Sequence, residues 1–410
     1  MRTYLLAAIA VAGCSRDVNL LPGRIDGGGG GVGNDIITGN DTGGTNPACS
    51  GLGDPIRLPT AAGPTCAAAL ETRGHRFALC ACDPTTAAAR IRSGSYDSRD
   101  SLSGVVESGA AFGFNSSLNA NAEVRAGGAI YVAGAGGLIA LNAPIRTAAS
   151  LRVGGPLSMS GDHADIGMDA YVSGNVTGDV RVSGTLHAPT TATVDSQVEA
   201  NGGVVREAVA VPAPCDCSAG AAGFVDIAGA IAAAAAHNDD AAINLAPTAL
   251  ASGAVPAAPL SLPCGTFYLT DIDADAAVTL AVHGRTLLAV GGDVQLNGGL
   301  SVQLDASAEL DLLVSRWLTV TGGAFGAING PGRFRVWVAG TESVTFDGAP
   351  PIYAVVHAPA APVSAPSGLP LSGSLLARSI SIGADTMINF DRAILAAGTV
   401  CGEPDAAPVP

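Results

Sequence analysis

The fold is decided by one stretch of the chain, Tyr171-Val172-Ser173-Gly174-Asn175-Val176-Thr177-Gly178-Asp179-Val180-Arg181-Val182-Ser183-Gly184-Thr185-Leu186-His187. Within each short run, apolar and polar residues alternate, which is the period of a β-strand. Glycine recurs where the chain has to turn. Such short, evenly spaced runs are typical of a parallel β-helix, in which successive coils share backbone hydrogen bonds.

The same pattern extends outward over residues 104–210 and returns over residues 259–401, for example at Val278–Val282 and Thr286–Val290. Between the two stretches, residues 223–237 are rich in alanine, the residue with the highest helix propensity. The sequence therefore predicts a mostly-β protein, a parallel β-helix in two stretches with one inserted α-helix. An antiparallel β-sandwich is the alternative.

The composition fits thin layers of small side chains. The chain has 410 residues, of which 55 are glycine and only 4% are aromatic, and its net charge is −15. All 20 basic residues are arginine. Nucleic-acid binding needs clustered positive charge to neutralise phosphates, so this acidic chain is not expected to bind nucleic acid.

The first residues have the anatomy of a secretory signal. Arg2 precedes a short apolar run, and Val11-Ala12-Gly13-Cys14 resembles the lipobox of bacterial lipoproteins. The resemblance implies cleavage after residue 13, lipidation of Cys14 and, with Ser15 next to it, export to the outer membrane. The glycine-rich residues 14–48 are expected to form the lipid anchor and a flexible tether, and residues 402–410 a disordered tail. No later segment is apolar enough for a transmembrane helix.

Eight further cysteines follow Cys14, an even number that implies disulfides in an exported chain. The two thiols of a CxC motif point the same way along a strand, so they are expected to bridge to separate partners. A metal site made from both CxC motifs is the alternative. Our hypothesis places the early cysteines in a cap, residues 49–103, that is joined by disulfides to later parts of the chain. One of these later parts is residues 211–258, which contain a CxC motif and the predicted helix. The sequence leaves the pairing open among Cys49, Cys66, Cys80, Cys82, Cys215, Cys217, Cys264 and Cys401.

Several motifs together resemble an uncharacterised family of exported Gram-negative β-solenoid lipoproteins, whose domain has no known function. The resemblance covers roughly residues 80–400 and rests mainly on Cys215–Ser218, His237–Ile243, Leu262–Gly265 and Ile388–Leu395. It implies a β-helix lipoprotein of the cell surface. It transfers no catalytic residue.

Candidate site residues are few. Asp271, Asp273 and Asp275 alternate with apolar residues and would share one side of a strand, as a weak Ca²⁺ site. Trp317 and Trp337 lie in strand-like runs and are expected in the core rather than on a carbohydrate platform. No Ser or Cys nucleophile stands at a recognisable spacing from the scattered histidines His75, His187, His283 and His357.

These observations favour a non-enzymatic surface lipoprotein of the cell envelope with a structural or adhesive role. The alternatives are a polysaccharide-acting β-helix enzyme and a carbohydrate- or Ca²⁺-binding module. Apart from possible Ca²⁺, no cofactor is expected. The expected partners are the membrane through the lipid, and envelope glycans or a second copy of the chain. The expected location is the outer membrane, facing either the periplasm or the exterior.

Overall fold

The computed structural model describes residues 49, 51–100, 104–217, 224–251, 253 and 258–402, all within one compact unit. They form a parallel β-solenoid of about 13 turns with little helix. The predicted parallel β-helix is therefore confirmed. The antiparallel sandwich is wrong, because the pairings within the 31-stranded sheet are parallel.

The N-terminal segment and the first stretch contain one helix, α1 (Ala67–Gly74), and eighteen strands. These strands are β1 (Arg57–Thr60), β2 (Gly63–Cys66), β3 (Leu79–Ala81), β4 (Thr85–Ala87), β5 (Ile91–Tyr96), β6 (Phe112–Phe114), β7 (Leu118–Ala120), β8 (Val124–Ala126), β9 (Ile130–Val132), β10 (Leu138–Leu141), β11 (Ile145–Thr147), β12 (Leu151–Val153), β13 (Leu157–Ile166), β14 (Ala170–Val172), β15 (Val176–Val182), β16 (Leu186–Ala188), β17 (Val198–Ala200) and β18 (Val204–Arg206).

Helix α2 (Ile227–Ala236) separates the two stretches and lies within the residues predicted to be helical. Short 3₁₀ helices occupy Asp240–Ala242, Pro331–Arg333 and Arg392–Cys401. The strands of the second stretch are β19 (Leu260–Leu262), β20 (Gly265–Leu269), β21 (Ile272–Ala274), β22 (Val278–Val282), β23 (Arg285–Val290), β24 (Val294–Leu296), β25 (Leu300–Leu304), β26 (Glu309–Val314), β27 (Leu318–Val320), β28 (Phe325–Gly326), β29 (Phe334–Val338), β30 (Val344–Phe346), β31 (Ile352–Ala365), β32 (Leu371–Ile382) and β33 (Thr386–Asp391).

Alternation within each run decides which side chains enter the core. In β8, Val124 and Ala126 are buried and Arg125 points outward. Equivalent residues stack from coil to coil, as Leu138 does between Leu118 and Leu157. Each such aliphatic side chain contributes roughly 1.5–3 kcal/mol through burial, so a core of small residues becomes stable by repetition.

Three columns of strands run along the solenoid. Column A contains the middle of β31 and of β32, together with β20, β23, β26, β29, β3, β6, β9, β12, β14, β16 and β18. Column B begins with β19, β22 and β25 and includes β33, β5, β8 and β11. Column C includes β21, β24, β27 and β30 in the second stretch and β4, β7 and β10 in the first.

The two predicted stretches form one continuous solenoid, and their order in space is the reverse of their order in the chain. In column A, β32 of the last coils pairs with β3 at the start of the first stretch, with Leu79 opposite Leu375. In column B, β33 pairs with β5 over six residues. The ends of the solenoid are therefore the coil at 260–274 and the coil that contains β17 and β18.

The chain returns along the outside of the solenoid after β18. Six inter-strand steps of about 4.8 Å separate β18 from β3, or roughly 29 Å, and the nine residues from Arg206 to Cys215 span roughly 30 Å when extended. Cys215 is disulfide-bonded to Cys80 of β3, so this segment runs nearly straight. Residues 207–214 lie mostly exposed on the surface.

The predicted cap over residues 49–103 is wrong for 79–96, because β3, β4 and β5 form a coil in the middle of the solenoid. The end at 260–274 is covered instead by residues 239–251, where Leu245 and Leu250 are buried against the core. At the opposite end, Val204 and Val205 of β18 are exposed.

Candidate functional site

All eight cysteines predicted to form disulfides do so in the structure. Each bridge joins one cysteine from the segment 49–82 to one from a later part of the chain, as our hypothesis expects. The two CxC motifs bridge to each other in parallel, which excludes the metal site considered for them. The pairs are Cys49–Cys264, Cys66–Cys401, Cys80–Cys215 and Cys82–Cys217.

The predicted lipidation residue, Cys14, lies outside the described residues, as do the tether before residue 49 and the tail after residue 402. Within the described part of the chain, no helix has the length and apolar character required to cross a bilayer.

The candidate Ca²⁺ residues lie along one side of β21, as predicted, but do not converge. Asp271 accepts a hydrogen bond from the backbone of Asp293 at 3.0 Å, and Asp275 accepts one from the side chain of Asn297 at 2.9 Å. No group of three or more His, Cys, Asp or Glu side chains suited to a metal ion occurs among the described residues. The geometry therefore gives no support to a Ca²⁺ site.

A buried ionic cluster lies on the outer side of column A, beneath α1. The Arg335 guanidinium donates two hydrogen bonds of 2.8 Å to Asp311 and one of 2.6 Å to Glu309. It also donates to Glu71 of α1 at 3.1 Å. Burial raises the pKa of Glu71 well above its usual value and so favours the neutral acid. The positive charge of Arg335 acts in the opposite direction and only partly offsets this effect.

Next to this cluster, three buried polar side chains form a hydrogen-bonded chain. The hydroxyl of Ser374 donates to the Phe77 carbonyl at 2.6 Å, His75 Nδ1 lies 3.0 Å from that hydroxyl, and His75 Nε2 lies 3.2 Å from His357 Nδ1. Burial lowers the pKa of His75 and lowers that of His357 to about 4. All three side chains are buried, so these hydrogen bonds serve the packing of the protein interior.

The two tryptophans differ in burial. Trp337 is buried and donates to Asp311 at 2.7 Å, as expected for a core residue, whereas Trp317 is half-buried. On the outer side of column A, Arg152 stacks over the ring of Tyr171, which stacks on His187 at 4.4 Å between ring centroids. Since neighbouring side chains occupy the faces of the Tyr171 ring, they are not free to pack against a sugar.

A polar triad that sequence reasoning missed lies on the surface near the capped end. His283 Nε2 is 3.1 Å from the hydroxyl oxygen of Ser261, and His283 Nδ1 is 2.8 Å from Asp305 Oδ2. His283 therefore has a serine hydroxyl as a hydrogen-bond partner, which the spacing of known nucleophile motifs did not indicate. The signal in the sequence was the coil period, because neighbours in the triad are 22 residues apart. That spacing brings residues on successive coils together.

Residues 237–240 explain how the end of the solenoid is closed. Asp239 Oδ2 accepts the backbone N–H of Thr266 at 2.9 Å, and Asp240 Oδ1 accepts that of Tyr268 at 3.0 Å. Both acceptors satisfy N–H groups on the exposed edge of β20. Asn238 caps α2 through a side-chain hydrogen bond to the Ala234 carbonyl at 3.0 Å.

The closed end, the helix before it and the stacked coils after it correspond to one known sequence family. The profile of a family described as a domain of unknown function, DUF7305, matches residues 220–396. Residues 220–396 form a DUF7305 domain. No curated protein and no solved structure matches the chain. The predicted membership of an uncharacterised family is thereby confirmed for this part of the chain.

The DUF7305 domain contains most of the buried polar residues described above, but not all of them. Glu71 and His75 come from the N-terminal segment, outside the matched residues. Ser261, His283 and Asp305 all lie within the domain. The first stretch, β3–β18, precedes the domain in sequence and stacks on its last coils.

Proposed function

We propose that this protein is a lipid-anchored component of the bacterial cell envelope with a structural or adhesive role. The four disulfides carry the proposal, because bridges that join the beginning of the chain to three later regions form and persist in an oxidising compartment. The signal-like start and the lipobox-like Val11–Cys14 supply the export route and the anchor.

The shape of the described chain suits such a role. A solenoid presents long, regular faces to partners, and its coils depend only on their neighbours. Envelope glycans and a second copy of the chain are the partners this location offers. A structural or adhesive role does not depend on catalysis, so the proposal is independent of whether a surface side chain is reactive.

The lipobox resemblance implies three acyl chains on Cys14, two in a diacylglycerol on its sulfur and one on its amino group. At about 0.8 kcal/mol per buried CH₂, three such chains hold a protein on a membrane in effect permanently. We therefore expect the full chain, expressed in a Gram-negative host with an alkyne analogue of palmitate, to incorporate label and to fractionate with the outer membrane. Cys14→Ser is expected to lose both the label and the membrane association.

Ser15→Ala is the matched control, because it changes the neighbouring residue and keeps the thiol. It is expected to incorporate label like the wild type. Unlabelled wild-type protein, or equal labelling of Cys14→Ser, would refute the anchor. Protease shaving of intact cells then tells whether the body faces the exterior.

A further inference from the structure

The hydrogen bonds of His283 fix its tautomer. An ionised carboxylate can only accept hydrogen bonds, so Nδ1 of the neutral ring carries the proton and donates it to Asp305. Nε2 then keeps a free lone pair and accepts the hydroxyl hydrogen of Ser261. This is the proton arrangement in which a histidine can remove a proton from serine.

We propose that Ser261, His283 and Asp305 form a catalytic triad that hydrolyses esters of small acyl groups. Nucleophile, base and orienting carboxylate follow one another at distances of 3.1 and 2.8 Å, within the hydrogen-bond reach such triads require. This activity goes beyond the proposed envelope role and rests on different residues.

Accessibility separates this triad from the other histidine clusters. The side chains of His283 and Asp305 are 47% and 61% exposed, and Ser261 is also exposed. The His75–Ser374 pair is buried and has no carboxylate partner. Elsewhere in the described chain, His163 and His187 contact carboxylates without a serine on the other nitrogen. His283 therefore has both partners at a surface that a substrate can reach.

The surroundings indicate the substrate class. A shallow depression beside His283 and Asp305 is lined by Leu52, Pro263 and the Cys49–Cys264 disulfide. The depression thus has an apolar side, which suits a small acyl group such as acetyl, and a polar side formed by His283 and Asp305. Because the triad lies on an open surface, the alcohol part of the ester can belong to a long carrier. An acylated polysaccharide hydroxyl meets both requirements.

The reaction has two balanced steps. Ser261 Oγ forms a bond to the acyl carbon while its proton passes to His283 Nε2, and the C–O bond to the alcohol breaks as the alcohol takes that proton. Water then attacks the acyl-enzyme and gives its proton to His283. The acid leaves, the proton returns to Ser261, and no oxidant, reductant or further reactant is required.

A fluorophosphonate probe tests the nucleophile directly in the full-length, disulfide-bonded protein. Ser261 Oγ would bond to phosphorus as fluoride leaves, and mass spectrometry would find the adduct on the peptide that contains Ser261. A general base contributes at least about 100-fold, so His283→Gln is expected to slow labelling about 100-fold. Asp305→Asn is expected to slow it at least tenfold, because the amide can donate to Nδ1 and move the ring proton to Nε2.

Ser301→Ala is the matched control, since Ser301 is an exposed serine on β25 outside the triad. It is expected to label at the wild-type rate, and acetate release from O-acetylated xylan is expected for the wild type and absent from Ser261→Ala. No adduct on Ser261, an adduct whose rate is unchanged in His283→Gln, or no acetate release by the wild type would overturn the proposal. A lipidated, membrane-bound protein that fails these tests would leave the envelope role standing.

Discussion

At the residue scale, the charged groups that are most costly to bury are those of the cluster around Arg335. The side chains of Asp311 and Glu309 face Arg335, and Arg285 lies 3.6 Å from Glu309 on the other side. Burial raises the pKa of Glu71 and so disfavours the charged form of this third carboxyl group. A buried ion pair is weak evidence of net stabilisation, but removal of one member leaves an uncompensated buried charge.

We therefore expect Arg335→Met to lower the free energy of unfolding by about 3–5 kcal/mol. Methionine retains much of the packing and removes the charge, so the loss would report Asp311 without an arginine partner and Glu309 with Arg285 alone. Urea unfolding with the disulfides intact measures it. Arg378→Met is the control, because the Arg378–Asp83 pair is exposed and worth less than about 1 kcal/mol. Equal losses in both variants would contradict this account of the cluster.

The buried histidines give the stability a pH dependence of known sign. The pKa of His357 falls from 6.5 to about 4 on folding. Below pH 6.5 the unfolded chain takes up a proton that the folded chain does not, so this contribution is present above pH 6.5 and is lost as the pH falls towards 4. The shift corresponds to about 3 kcal/mol.

We expect the stability of the wild type to fall more steeply between these pH values than that of His357→Gln, which has no ring to protonate. Unfolding curves at several pH values measure the difference. His237→Gln, which changes an exposed histidine, is expected to keep the wild-type slope. Parallel slopes for all three proteins would mean that folding does not change the pKa of His357.

At the scale of elements, the ends of the solenoid matter most, because an end coil has strand edges without a neighbouring coil. Asp239 and Asp240 close one edge with carboxylates instead of another strand. Hydrogen bonds to charged groups contribute about 1.5–3 kcal/mol each, enough to hold the β20 edge closed most of the time.

We expect Asp239→Ala to speed amide hydrogen exchange in Gly265–Leu269 by about tenfold or more, because the Thr266 N–H would lose its acceptor. Hydrogen–deuterium exchange mass spectrometry measures this locally. Asp275→Ala is the control on the same coil, since its carboxylate accepts from the Asn297 side chain. Faster exchange in both variants, or in neither, would refute the capping role.

The elements were predictable from sequence because each coil repeats the same local rule. Strand positions such as Val124–Ala126 follow from alternation, and α2 follows from its run of alanines. The triad at Ser261, His283 and Asp305 follows the 22-residue coil period, and known nucleophile motifs do not share that spacing. Asp239 follows the predicted helix directly, and its role was not predictable because its partner, the Thr266 N–H, is 27 residues away.

At the scale of the whole molecule, the stacking order was beyond sequence reasoning. Nothing local to β32 and β3 specifies that they pair, because every coil edge offers the same backbone groups. This junction is distinguished by contacts between residues that are far apart in sequence. They come from the return segment 207–217, from α1 and from the four disulfides. The DUF7305 domain is consequently incomplete alone, since β5 covers β33 and α1 supplies Glu71.

We expect residues 220–396 expressed alone to melt at a lower temperature than residues 49–402. The isolated domain would lose the six-residue pairing between β33 and β5 and would expose the Arg335 cluster. Circular dichroism melts of the two proteins, with the four disulfides formed in residues 49–402, measure the difference. An unchanged midpoint would show that the domain does not depend on the first stretch.

Residues 49–402 form one solenoid in which the early coils stack on the last coils. Peptide mapping of the purified, unreduced protein by mass spectrometry tests it most directly. We expect four bridges, Cys49–Cys264, Cys66–Cys401, Cys80–Cys215 and Cys82–Cys217. Free thiols at these positions, or bridges among the four early cysteines themselves, would contradict it.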